Sequence, residues 1–181
     1  MFGAEPCRWT LAAAQRTGLW LDALAFIPAY TAFLALAARA LGGRAAWPLI
    51  GMFVTAGLLD EIEGVLLWRV LATLPGTQPV LDALFWAVRG KFLLLGLGTF
   101  ALGALLTLRF NRVALPFGLV IAAGGLQALL GFFALPSPGM MGGFTVGWLA
   151  LFVAAATASL WPSPFAPARA SRPRAPVSPS A

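Results

Sequence analysis

An all-α integral membrane bundle of about five transmembrane helices is the fold class this sequence predicts, and three observations predict it. Of its 181 residues, 60% are hydrophobic and only 10% charged, where soluble domains carry roughly a quarter charged. The mean hydropathy is +0.88. The apolar residues also run in long continuous stretches rather than the roughly ten-residue alternation of a membrane barrel. Twelve basic and six acidic residues cannot clothe a soluble domain of this length, so lipid is the main solvent. In lipid every backbone N–H and C=O must be satisfied inside the structure, and continuous apolar runs achieve that as helices.

Taken in order, residues 1–17 read as an N-terminal interfacial segment, with Trp9, Arg16 and Trp20 as boundary residues. Residues 1–10 lack the basic start, short apolar core and small-residue cleavage site of a signal peptide, so the first helix is expected to be retained. The bundle occupies 18–161, with spans expected at about 18–40, 46–74, 80–108, 113–135 and 140–161. The breaks between them are Gly42-Gly43-Arg44, Pro75-Gly76, the turn from Arg109 to Arg112, and the Pro136-to-Gly139 stretch. The second and third spans are longer than the ~20 residues needed to cross, so tilt or protruding ends are expected. Gly143 and Gly147 form a GxxxG step on the last span, expected to pack within the chain.

The segment 162–181 holds six prolines, four serines and three arginines, a composition without core-forming capacity, and reads as disordered. A solvated tail that fixes topology is its favoured role, with contact to anionic lipid as the alternative.

Arg39, Arg44, Arg109, Arg112, Arg169, Arg172 and Arg174 fall on one side of the bundle, against Arg8, Arg16 and Arg69 on the other. The positive-inside rule then puts the C-terminus in the cytoplasm and the N-terminus outside. The preference for Arg, Ala, Gly and Pro suggests a GC-rich bacterial genome, hence a cell inner membrane as the location.

Several function classes drop out. With no histidine, His-ligated haem, histidine metal sites and a histidine relay are excluded, and no metal or other cofactor is expected. The lone Cys7 rules out dithiol chemistry. Despite a pI near 11.4, the basic residues are scattered at helix ends with no aromatic-interleaved patch, so no nucleic-acid partner is expected. The expected partners are the bilayer and a small-molecule or ion ligand.

That ligand is suggested by charges inside the spans. Asp22, Asp60, Glu61, Glu63, Asp82, Arg89 and Lys91 all fall within apolar segments, and each costs about 2.5–3.5 kcal/mol at mid-bilayer on insertion scales. Asp60 and Glu63 precede the end of the second span by about as many residues as Arg89 and Lys91 follow the start of the third. The two groups therefore meet on the order of 15 Å from the shared turn. Asp60 and Glu63 share a helix face and Glu61 points about 100° away. Asp82 and Arg89 share a face, while Lys91 lies about 200° round from Arg89. Lys91 is the only lysine, and an ammonium can release its proton where a guanidinium cannot. The candidate cluster is thus Asp22, Asp60, Glu63, Arg89 and Lys91. Tyr30, Glu61, Asp82 and Gln127 are secondary. Tyr30 is expected to pack against lipid rather than donate a hydrogen bond, and Gln127 to bond between helices.

The segments GLWLDALAFIPAY, AGLLDEIEGVLLWRVL and DALFWAVRGKFLLLGLG resemble a set of small bacterial multi-helix membrane proteins. Their pattern is an Asp and Tyr in the first helix, Asp-x-x-Glu in the second and Lys-aromatic in the third. Asp22, Tyr30, Asp60, Glu63, Lys91 and Phe92 match it, over residues 18–108. Gly64 departs from the Asn that often follows the Glu. The resemblance implies no activity. A looser likeness of general character links the chain to emopamil-binding, sterol-isomerase-like proteins, against which the missing histidine and tryptophan–carboxylate pattern count.

Three readings follow: a small-molecule or ion binder, or a transporter, centred on Asp60, Glu63 and Lys91; a structural or accessory subunit held together by the same charges; and a membrane-embedded enzyme acting on a lipid or isoprenoid through a carboxylate acid and base.

Overall fold

The computed structural model describes residues 5–74, 76–109, 112–133 and 138–162. The expectations for the 163–181 tail and for parts of the turns at 75, 110–111 and 134–137 lie outside these residues. The described chain is all-helical. Helix α1, Glu5–Leu21, continues through a π-helical turn, Asp22–Phe26, into α2, Ile27–Leu41. There follow α3 (Ala46–Thr73), α4 (Gln78–Arg109), α5 (Ala114–Phe133) and α6 (Pro138–Leu160).

The π turn has a cause in the sequence. Pro28 has no N–H to give the carbonyl four residues back, and its ring displaces that carbonyl. The helix widens upstream, and the N–H of Ile27 donates to Asp22 O five residues earlier. Pro48, Pro79 and Pro116 cause no such break because each lies in the first turn of its helix, where N–H groups lack intrahelical acceptors anyway. Between α2 and α3 the chain reverses at Gly42 and Gly43, with φ of 71° and 73°. A side chain would be strained there.

Among the described residues four helical segments are long and apolar enough to cross a membrane: Leu11–Leu41, Gln78–Leu108, Ala114–Phe133 and Gly139–Leu160. The sequence reading counts about five. The difference is α3, which has 28 residues but carries Asp60, Glu61 and Glu63 within four positions. The outer surface also suits lipid. Leu24, Trp86, Leu108, Phe133 and Leu160 are each at least 70% exposed, the reverse of a water-soluble exterior.

Neighbours in sequence pack side by side, α2 on α3, α3 on α4, α4 on α5 and α5 on α6. Lipid tails are as apolar as leucine, so these contacts are held by dispersion and close fit rather than by exclusion of water. Glycines set the fit. A Cβ placed on Gly103 would lie 2.8 Å from Ala122 Cα, and one on Gly124 the same distance from Gly147 Cα. The Gly143–Gly147 step is turned toward α5.

The helices differ in reach. Leu129 lies against Gly96 and Phe100 against Gly125, which fixes the antiparallel register of α4 and α5. Carried on, that register places Phe133, the last residue of α5, at the height of Phe92. Helix α4 starts at Gln78, roughly 20 Å further along at ~1.5 Å per residue. Helix α6 begins beside the end of α5, with Met140 against Gly131. The α3–α4 pair therefore extends well past the α5–α6 pair, and the Trp20–Trp68 contact, 5.9 Å between ring centroids, ties α1 to the extension.

Candidate functional site

At the height where α5 ends, α3 and α4 bring their charges together. Asp60 and Glu63 project from one face of α3, and Lys91 comes from the antiparallel α4 opposite. Lys91 Nζ donates to Asp60 Oδ1 at 2.6 Å and forms an ion pair with Glu63. Lys91 is 7% exposed, and the two carboxylate side chains are 18% and 19% exposed. The three groups thus sit inside the protein with a narrow access to the outside.

A third helix joins them. Tyr30 on α2 donates from its hydroxyl to Asp60 Oδ2 at 2.8 Å. This corrects the expectation that Tyr30 packs against lipid: it is buried and uses its hydroxyl. The π turn just before it shifts the phase of α2, a displacement that regular helical spacing does not contain. Its ring stacks on Trp148 of α6 with centroids 5.5 Å apart, and Trp148 Nε1 donates to Thr99 Oγ1 on α4 at 3.1 Å. Tyr30→Phe is expected to lower unfolding stability in detergent by about 1.5 kcal/mol, the low end for a hydrogen bond to a charged acceptor. An unchanged denaturant midpoint would show that the bond contributes nothing.

Beside the cluster lies a cavity of about 240 Å³. Its polar lining is Asp22, Asp60, Glu63 and Lys91, and its rings are Phe26, Tyr30, Phe92, Phe144 and Trp148. A second hollow of about 50 Å³ lies toward α1, between Leu19, Ala23, Gly64 and Leu67. Asp22, at the first position of the π turn, Asp60 and Glu63 line both. A Cβ on Gly64 would meet nothing within 4 Å, so the departure from Asn at that position leaves open space.

The remaining candidates are not brought to the cluster. Arg89 has its guanidinium 5.1 Å from the Phe85 ring centre and 4.7 Å from that of Phe132. Being about 200° from Lys91, it cannot face α3 as well. Asp82 is exposed and accepts from Gln78 Nε2 at 2.7 Å. Glu61 borders a surface hollow with Ile62, Val65, Leu66 and Arg69. Gln127 is exposed on α5 with its amide near Gly142, not inside the bundle. A further hollow of about 160 Å³, near the other end, is lined by alanine and leucine alone and has no side chain able to orient a polar ligand.

Sequence reasoning passed over Trp148, Phe144 and Thr99. The available signal was a tryptophan in mid-helix, whose indole N–H needs an acceptor when buried. Searches against protein-family models, curated proteins and solved structures give no match for this chain, and what the site does rests on its own geometry.

Proposed function

We propose that this is a multi-pass protein of a bacterial inner membrane that binds a small molecule or ion at the Asp60, Glu63 and Lys91 cluster. The observation that supports it is the cavity of about 240 Å³ opening directly onto an ammonium shared by two carboxylates. Intramembrane charges are costly and mark ligand or ion sites by default. Five crossings are part of the proposal: α3 is about 42 Å long at 1.5 Å per residue and packs between α2 and α4. By the distribution of arginines, the α3–α4 turn and the cavity face the outside and the C-terminus the cytoplasm.

A structural or accessory role is the second reading. One observation favours it: Tyr30 and Lys91 between them engage both oxygens of Asp60, which braces three helices without any ligand.

The two separate in a thermal-shift panel of small cations, anions and neutral solutes on the purified full chain. At least one solute is expected to raise the melting temperature of the wild type and not that of Asp22→Asn. No shift across the panel would contradict binding and leave the brace. Uptake or binding in liposomes left unchanged by Lys91→Met would remove Lys91 from the mechanism.

A further inference from the structure

We propose that the cavity's ligand is a small organic cation, an alkyl- or arylammonium group, held by its charge near Asp22, Asp60 and Glu63 and by its apolar part against the rings. This rests on the binding reading above and names the class of ligand.

Charge is the first reason. The lining holds three carboxylates and one ammonium, a formal excess of two negative charges. The other nearby base, Arg89, is drawn off between Phe85 and Phe132. An entering cation reduces that excess and an anion increases it, in surroundings where interactions are screened far less than in water.

The rings are the second reason, and they separate an organic cation from a metal ion. Five aromatic side chains line the cavity, and the face of an aromatic ring attracts alkylammonium groups. Hard metal cations instead require six or more oxygens. Among the described residues no three carboxylate, thiol or imidazole groups converge to hold one.

The third reason is the route in. Helices α2 and α6 meet across this side of the bundle through paired rings, Tyr30 with Trp148 and Phe33 with Phe152, at 5.5 Å and 6.2 Å. A seam closed by side chains opens by rotamer changes and suits a ligand with an apolar part arriving from the bilayer. At about 240 Å³ the cavity falls below the roughly 300–1,000 Å³ of drug-sized sites, so the ligand is small.

The test uses the full chain in lipid nanodiscs and isothermal titration with benzyltrimethylammonium, benzoate and benzyl alcohol. These probes pair one ring with a positive, a negative or no charge. Saturable binding of the cation is expected, weakened about tenfold in Trp148→Leu and in Asp22→Asn, with no saturable binding of benzoate. Asp22 is exposed and outside the ion pair, so Asp22→Asn keeps the fold if Asp60→Asn does not. Benzoate or benzyl alcohol binding as well as the cation, with the same loss in Asp22→Asn, would overturn the ligand class and leave the binding site standing. No saturable binding of any probe overturns the organic-cation proposal. If the broader solute panel is silent too, the binding reading falls with it.

Discussion

Lys91→Met is expected to destabilise the protein by about 3 kcal/mol, the scale for removing one partner of a buried ion pair. The loss arises less from the missing attraction than from Asp60 and Glu63, which then sit one turn apart on α3 with no counter-charge. Neutralising the acids should therefore rescue the variant. Asp60→Asn with Glu63→Gln in the Lys91→Met background is expected to recover most of the lost stability, although each change alone lowers it. Unfolding in mixed micelles gives the midpoints, and a double-mutant cycle gives the coupling. Additive effects would mean that the three groups do not form one unit.

The other large effect belongs to the helix interface beyond the site. Gly103→Leu is expected to cost about 3 kcal/mol, the upper end for overpacking, because its Cβ would meet the backbone of Ala122 and Gly118. Backbone cannot step aside by changing rotamer, so α4 and α5 must separate. Gly51→Leu is the matched control. A Cβ there meets nothing within 4 Å, and a change within about 0.5 kcal/mol is expected, as for surface substitutions. Equal losses in the two variants would show that leucine harms these helices through something other than backbone contact.

The parts of the structure legible in the sequence are those with a physical signal in the residue order. Helical class follows from apolar runs that must satisfy their own backbone. The meeting of Asp60 and Glu63 with Lys91 follows from equal distances to the Pro75-Gly76 turn and from i,i+3 spacing. Arg89, counted with the cluster in the sequence, lies instead against Phe85 and Phe132, although its angle of about 200° to Lys91 already bars the two from one partner. Three features were not legible. A helix such as α6, apolar on every side, has no stripe to show which face turns inward, so the roles of Phe144 and Trp148 were hidden. The role of Tyr30 was hidden because nothing local in an apolar run shows that its hydroxyl meets a carboxylate on another helix. The apolarity of α3 falls below that of the four other segments because it carries Asp60, Glu61 and Glu63, so a fifth crossing is proposed rather than read from hydropathy.

The contact at the centre of this account can be measured directly because Lys91 is the only lysine. Label its Nζ with ¹⁵N and the side-chain carboxyl carbons of aspartate and glutamate with ¹³C, then record dipolar dephasing by solid-state NMR in liposomes. Strong dephasing from carboxyl carbons in direct contact is predicted, reduced but not abolished in Asp60→Asn because Glu63 remains. A Lys91 signal that does not dephase would contradict the account and leave the cavity without its charged floor.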